Sequence, residues 1–487
     1  MTGLLLLLPK ATIGVAALLA LLLDSLTGGQ ARRRVVLAVV ALLLAGAVIA
    51  IVGIGRTGVF LEGTLVVDRF SIFADIVLLV LGAVVALAAL DGVGSERDAG
   101  DFYTLFFLSL AGASILASAG SLITVFLAIE LAIIPTFALV AFRAEDRRSF
   151  EAALKYFLLS VFASAIMLFG FSLVFGAVGS VALPLPNDAA SSGLLLAGLG
   201  LTLAGFGFKL AASPFHQWLP DVFEVSHPEV AAFLAVGPKL AAMVALVRVL
   251  EGLASQSGAW TSAVAVVAVL SMAWGNLGAF RQKRIPRLLA YSAIAHAGYA
   301  LVGLAGGGTR GIEGAVVYFA AYSAAAVGAF LVVGILARGG VGDRLGDVVG
   351  LGRSRPLVAA AMTVFMISMV GIPLFAGFWG KFSVFLGAVE GGAVWLAVVG
   401  VLNSAMSFGY YGNVIRLMYL EGGKDVERAG FAAEQPSAGA AQEAQTPAPG
   451  VEGWSIRVAL GAAVAFTMLL GVVPGILFGA LGVSAGL

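Results

Sequence analysis

The chain contains no cysteine in 487 residues. That excludes disulfides, thiolate metal sites, iron–sulfur ligation and cysteine nucleophiles. Charge is almost as scarce: Asp, Glu, Lys and Arg make up 11% of the chain, against about 25% in a soluble domain. Net charge is +1, so no strong field favours a nucleic acid partner. Three histidines, His216, His227 and His296, are too few and too scattered for a metal site. The stretch Met1 to Leu23 lacks a basic leader and a small-residue cleavage site. It therefore reads as a retained first helix, not a signal peptide.

What the chain has instead is apolar length, with 61% hydrophobic residues. A membrane helix needs about 20 mostly apolar residues, and on that basis the sequence predicts an all-α polytopic membrane protein of about fourteen transmembrane helices. The spans are 3–23, 35–54, 69–90, 102–119, 121–142, 151–174, 194–212, 230–250, 260–279, 285–305, 312–337, 357–388, 394–419 and 455–478. Phe60, Leu61, Val66 and Val67 around Gly63 predict a small hairpin over 57–67. Residues 421–453 are rich in Ala, Gly, Glu, Gln and Pro. Such a composition cannot bury enough surface to order itself, so the segment reads as a flexible linker before the final helix.

Basic residues set the orientation. One set of loops collects Arg32, Arg33, Arg34, Arg147, Arg148, Arg281, Lys283, Arg284, Arg287, Arg338, Arg353 and Arg355, among others; the opposite set has Arg56, Arg248 and Arg310. Positive loops stay in the cytoplasm, which puts both termini and the hairpin outward and the 421–453 linker inside.

Two spans look broken, one from Phe206 through Ser213-Pro214 to Pro220, the other from Ser368 through Gly371-Ile372-Pro373 to Lys381. Proline removes a backbone donor and clashes with the preceding turn. Carbonyls freed at membrane depth survive only beside protein or water. The breaks fall in the seventh and twelfth spans, five helices apart. Two tandem five-helix units, 102–250 (spans 4–8) and 260–419 (spans 9–13), must insert with opposite orientations because five is odd. An inverted repeat with its site beside the broken helices is the expectation.

An ionisable side chain deep in a span costs about 2.5–3.5 kcal/mol on insertion scales, so its retention needs a reason. Glu130, Lys155, Lys209, Lys239 and Lys381 all lie within spans. Burial disfavours a lysine's charge and a nearby carboxylate restores it, so a movable carboxylate can load and unload an amine. That is the requirement for a proton relay. The plainer alternative is a static ion pair with lysines snorkelling to a surface, and Lys155, near the start of its helix, suits it best. His296 lies within the tenth span and His216 just after the first break. Imidazoles there can pass protons between waters, or be structural, as His227 beside Pro228 is read to be. Asp75, Asn276, Tyr291 and Ser292 could line water or simply pack between helices. Gly306-Gly307-Gly308-Thr309-Arg310-Gly311 fits G-x-G-x-x-G, but a membrane helix precedes it where dinucleotide binding needs a strand.

These motifs together resemble a known family. Glu130-Leu131 with Pro135, Glu151-Ala152-Ala153-Leu154-Lys155-Tyr156-Phe157, Gly207-Phe208-Lys209 leading to Ser213-Pro214-Phe215-His216-Gln217-Trp218-Leu219-Pro220, Arg287 to Ser292 with His296 to Tyr299, and Gly371-Ile372-Pro373 with Gly377 to Phe382 are similar to the antiporter-like subunits of respiratory complex I. The likeness runs from about residue 68 to 420. Phe233-Leu234-Ala235 before Lys239, and lysine at 381, resemble the N branch of that family. The long 421–453 segment and Pro238 directly before Lys239 depart from its pattern. The resemblance implies a proton-translocating membrane-arm subunit of NADH:quinone oxidoreductase in a bacterial inner membrane. Glu130 and Lys209 would be the input pair, Lys239 the central relay and Lys381 the terminal site. Lys155 would modulate the pair, and His216 and His296 would connect waters. It implies no cofactor or metal in this chain, with FMN, iron–sulfur clusters and quinone in other subunits. The implied partners are K-like and M-like membrane neighbours and the lateral helix of an L-like subunit. The alternatives are a subunit of a multi-subunit cation/proton antiporter and the membrane arm of a proton-pumping hydrogenase.

Overall fold

The computed structural model describes residues 3–27, 32–93, 99–142, 146–185, 192–251, 257–420 and 453–481. The expected linker, apart from Gly453, lies outside the described residues. Each expected span carries a helix. In chain order they are α1 (Leu8–Thr27), α2 (Arg32–Val52), α3 (Arg69–Gly92), α4 (Ala99–Leu116), α5 (Leu122–Val140), α6 (Arg147–Val178), α7 (Gly193–Leu210), α8 (Trp218–Val225), α9 (Pro228–Glu251), α10 (Ser257–Phe280), α11 (Ile285–Gly306), α12 (Gly308–Arg338), α13 (Leu351–Ser354), α14 (Pro356–Val370), α15 (Ala376–Glu390), α16 (Val394–Tyr419), α17 (Trp454–Val472) and α18 (Gly475–Ala480). Among the described residues, 12 helices are long and apolar enough to cross a membrane, and Gly100–Leu116 and Pro356–Val370 are shorter apolar helices. The protein is an all-α polytopic membrane protein.

Both expected breaks are present. The seventh span is α7 followed by the half-helix α8, and the twelfth is α14 followed by α15. The expected hairpin is also there: β1 (Gly58–Phe60) pairs antiparallel with β2 (Leu65–Val67), Val59 opposite Val66. Arg248 anchors it, reaching from the end of α9 to Asp68 (2.6 Å) and the Val66 carbonyl (3.3 Å). This end is called the hairpin face below, and the arginine-rich end the basic face.

Two helices form the interior. α9 and α12 are buried along their spanning lengths, while α1, α2 and α6 leave most of theirs uncovered. A helix apolar on every side must sit inside a bundle, and α9 and α12 are of that kind. α9 runs unbroken through Pro238. The proline has no N–H to give to the carbonyl of Leu234 four residues earlier, so one backbone acceptor is released a turn from Lys239. The glycine-rich stretch at 306–311 is a turn between two helices, with Gly307 (φ 73°) joining α11 to α12. No strand precedes it, so its match to the nucleotide motif has no structural basis.

Candidate functional site

The same cap ends the first half of each broken helix. At the end of α7, Ala211 is left-handed (φ 55°), and its N–H donates to the Phe208 carbonyl (3.0 Å) while that of Ala212 donates to Gly207 (2.8 Å). At the end of α14, Gly371 (φ 92°) donates to Ser368 (3.0 Å) and Ile372 to Ile367 (3.4 Å). This is the Schellman pattern, which stops a helix and turns the chain away. A residue with a Cβ in that conformation costs about 1–2 kcal/mol, so Ala211 holds a turn that glycine would make more cheaply. Gly371 has a second constraint: a Cβ there would lie 2.8 Å from Cδ of Lys381.

The first cluster joins α5, α6 and α7. Lys209 is buried and donates from Nζ to Ser160 Oγ (3.0 Å) and Ser164 Oγ (2.9 Å). The Ser164 hydroxyl donates in turn to Glu130 Oε1 (2.5 Å). Lys209 and Glu130 are themselves 3.9 Å apart. The pair expected from sequence is therefore present, with a serine hydroxyl between its members. Lys209 is 1% exposed and Glu130 is 21% exposed. The carboxylate thus sits at the outer edge of the bundle and the amine inside it.

Lys239 lies alone in the middle of α9. It is 1% exposed, and its Nζ has no hydrogen-bond partner among the described residues. Its nearest ring is Phe223, 5.9 Å away. A charge on this amine needs water or a moved side chain to receive its hydrogen bonds.

The third cluster is built on α10, α11, α12, α14, α15 and α16. Lys381 starts in the second turn of α15 and reaches back to the break. Its Nζ donates to the Val370 carbonyl (2.8 Å) and to Ser404 Oγ (2.7 Å), and lies 4.5 Å from the Tyr299 ring. His296 packs on the same Tyr299 ring, centroid to centroid 5.7 Å. Its Nδ1 bonds Tyr318 Oη (2.6 Å) and its Nε2 bonds Tyr411 Oη (3.1 Å), while Tyr322 stacks on the ring at 4.3 Å. Tyr411 also bonds the Ser292 hydroxyl. Asn276 ties Tyr299, Tyr410 and Asn403 together (3.1–3.2 Å). Each hydroxyl here can accept one proton while giving another, which a row of aliphatic side chains cannot do.

Other expectations fare differently. Lys155 is not buried: its side chain is 53% exposed and pairs with Glu151 (3.0 Å) and Asp221 (3.7 Å). It sits in the third turn of α6, on the side turned away from the bundle, and sequence depth alone does not reveal that direction. From Asp221 a surface chain of charges continues on the basic face. Arg287 holds Asp221 (3.0 Å) and Glu224 (2.7 Å), and Arg284 holds Glu224 (2.8 Å) and Asp343 (2.7 Å). The hydrogen bonds that Arg284 donates to Asp343, helped by the charges of Asp343 and Glu224, raise its pKa above the ordinary arginine value. His216 is buried in the turn between α7 and α8, its ring 5.7 Å from Trp274. His227 packs on the Phe142 ring.

Sequence reasoning missed two buried ion pairs. Asp75 binds Lys10 of α1 (2.6 Å) and accepts from Ser114 of α4 (2.5 Å). Glu229, fully buried at the start of α9, pairs with Arg338 at the end of α12. Asp75 inside an apolar helix was the available signal for the first. Arg338 had been grouped with the loop arginines, and Glu229 reads as an ordinary first-turn acid.

The fold and site together define a class of protein: polytopic membrane proteins in which two capped, broken helices and titratable side chains share one bundle, as in the antiporter-like subunits. The family model described as NADH:quinone oxidoreductase/Mrp antiporter, TM, matches residues 119–407. The chain is 38% identical over 385 residues to NADH-quinone oxidoreductase subunit N of Trichlorobacter lovleyi, covering 77% of this chain and 79% of that one. It is 36% identical over 488 residues to subunit N of Methylobacterium nodulans, covering 98% and 96%. A chain in respiratory complex I from Thermus thermophilus with bound aureothin superposes with a TM-score of 0.77 at 33% identity, covering 98% of this chain and 100% of that chain. The chain belongs to the NADH:quinone oxidoreductase/Mrp antiporter membrane family and, within it, to the subunit N group.

Proposed function

We propose that this chain is a proton-translocating subunit of the membrane arm of NADH:quinone oxidoreductase. The observation that carries the reading is Lys239: a buried amine with no hydrogen-bond partner among the described residues, on one of the two fully enclosed helices of the bundle. A lysine kept there costs stability and contributes no structural bond. Reversible protonation gives it a use.

In this reading a proton is loaded at Glu130 and Lys209, passes to Lys239, and leaves through Lys381. His296 and its tyrosines connect the last two, and His216 extends the path from the first break. Lys155 modulates the input pair from the surface through Asp221. Two charges about 10 Å apart couple by roughly 1.7 kcal/mol at an effective dielectric constant near 20, more than one pKa unit. Protonating one site therefore biases the next, and a row of such sites transmits a push from one end to the other. The two identical caps, five spans apart, support an inverted repeat over residues 102–250 and 260–419. The excess of arginine on one face supports a cytoplasmic basic face, outward termini, a cytoplasmic 421–453 linker, and residence in the bacterial inner membrane. NADH, flavin, iron–sulfur and quinone chemistry belongs to other subunits. The partners are K-like and M-like neighbours and the lateral helix of an L-like subunit, and the 21% exposure of Glu130 suits a partner on that edge.

The test is Lys239→Ala in the assembled complex, reconstituted in vesicles. Proton pumping and coupled quinone reduction should fall at least tenfold with subunit content unchanged. Wild-type pumping by an assembled variant would overturn the reading. The family description also names Mrp antiporters. Sodium-dependent proton movement without NADH or quinone turnover would favour that second reading.

A further inference from the structure

Lys10, Asp75 and Ser114 form a buried charged cluster that the path from Glu130 to Lys381 does not use. Lys10 of α1 donates from Nζ to Asp75 Oδ2 on α3 (2.6 Å), to the Ser114 carbonyl on α4 (3.2 Å) and to Ser114 Oγ (3.4 Å). The Ser114 hydroxyl donates to Asp75 Oδ1 (2.5 Å). The lysine side chain is 8% exposed and the aspartate 1%. The cluster repeats the parts of the Glu130–Ser164–Lys209 cluster on three other helices. In both, a serine hydroxyl donates to the carboxylate at 2.5 Å and accepts from the lysine. All three residues precede the stretch 119–407 that the family model matches.

Two contacts fix its depth. Arg248 of α9 holds Asp68, the residue that caps α3, at 2.6 Å. Lys239 is nine residues before Arg248 and Asp75 seven after Asp68, so at 1.5 Å per helical residue they lie about 13.5 and 10.5 Å from that contact. Nearer the basic face, Phe106 of α4 meets Phe233 of α9 edge to face (4.9 Å). Ser114 is eight residues past Phe106 and Lys239 six past Phe233, about 12 and 9 Å along their helices. Both contacts put the cluster level with Lys239 to within about 3 Å. Helices α3 and α4 both pack on α9, and packed helices lie about 8–10 Å apart.

We propose that Lys10, Ser114 and Asp75 form a further proton site, coupled to Lys239; this rests on the proton-translocating reading above. At rest the ammonium faces the carboxylate and the cluster is neutral. A proton arriving at Asp75 makes it a carboxylic acid. The Ser114 hydroxyl, able to accept as well as donate, then receives a hydrogen bond from the acid. The ammonium keeps the Ser114 carbonyl. The cluster gains one positive charge and neither partner is stranded. That charge disfavours an ammonium at Lys239 and helps to discharge it. A pair kept for strength alone has little reason to be buried this deeply, because apolar residues of similar volume serve as well or better.

The test uses the assembled complex in vesicles. Lys10→Met with Asp75→Leu replaces the pair by apolar side chains. Subunit content should hold while the pumping rate falls at least threefold. Ser114→Ala keeps the direct Lys10–Asp75 bond and removes only the hydroxyl, so it decides the matter if the double variant does not assemble. Its pumping should also slow several-fold at an unchanged melting temperature. Wild-type pumping in either assembled variant, or a loss that only tracks the amount of assembled complex, would overturn the proposal. Lys239→Ala in the same vesicles separates the two readings. If it abolishes pumping while the cluster variants pump normally, this site alone falls. If it pumps normally, the relay through Lys239 falls, and the coupling proposed here falls with it.

Discussion

Lys381 Nζ lies 2.8 Å from the carbonyl of Val370, the last residue of the helix that breaks before it. The amine is carried on the second half of the broken helix and tied to the end of the first. Charge and helix break are therefore one device here. An ammonium satisfies a carbonyl that the break left without a helical donor, and Ser404 takes hydrogen bonds with both groups. A change in protonation at Lys381 alters what holds the two halves together.

Replacing Lys381 by methionine keeps the stem over Gly371 and removes the donor. Ser404 still reaches Val370 (3.1 Å), so the break remains partly satisfied and assembly should persist. Proton pumping should fall at least tenfold, read by a pH-sensitive dye in vesicles against NADH-driven quinone reduction. Unchanged pumping in assembled Lys381→Met would remove this residue from the path.

Ser164 stands between Glu130 and Lys209, giving its hydroxyl hydrogen to the carboxylate and accepting from the amine. Hydrogen bonds to charged groups contribute about 1.5–3 kcal/mol. Ser164→Ala should weaken the coupling of the pair and slow pumping several-fold. Ser160→Ala, which removes a contact to the amine only, should cost less. A double-mutant cycle with Glu130→Gln measures the coupling, and additive effects would show that the serine carries none of it.

Arg338→Met leaves Glu229 buried without its main partner, a change that costs about 3–5 kcal/mol. The amount of assembled complex and its melting temperature should both drop. Glu229→Leu combined with Arg338→Met should recover much of the loss, since an apolar pair of similar volume carries no unpaired charge. If the double variant were no more stable than Arg338→Met alone, the pair would not be the source of the cost.

The Glu130–Lys209 pair was legible because both residues stand in otherwise apolar runs, where a charge is conspicuous. Lys239 was legible for the same reason. The helix breaks were legible from proline and glycine placed where a span should continue. Whether Lys155 was buried or snorkelled was not legible, because sequence gives depth along a helix but not the direction a side chain faces. The Glu229–Arg338 pair was hidden for the opposite reason. Both residues lie at helix ends, where charge is ordinary, and 109 positions separate them.

By itself the sequence determined the solvent, the spans, the two interruptions and the charges kept at depth, because each follows from transfer free energy along a local stretch of chain. Tertiary structure alone decided which charges meet. It placed a serine between Glu130 and Lys209, left the Lys239 amine without a hydrogen-bond partner among the described residues, bent Lys381 back to Val370 and buried Glu229 against Arg338. Those outcomes depend on how helices rotate and pack, and contacts between helices distant in sequence set that rotation, with no single span encoding it.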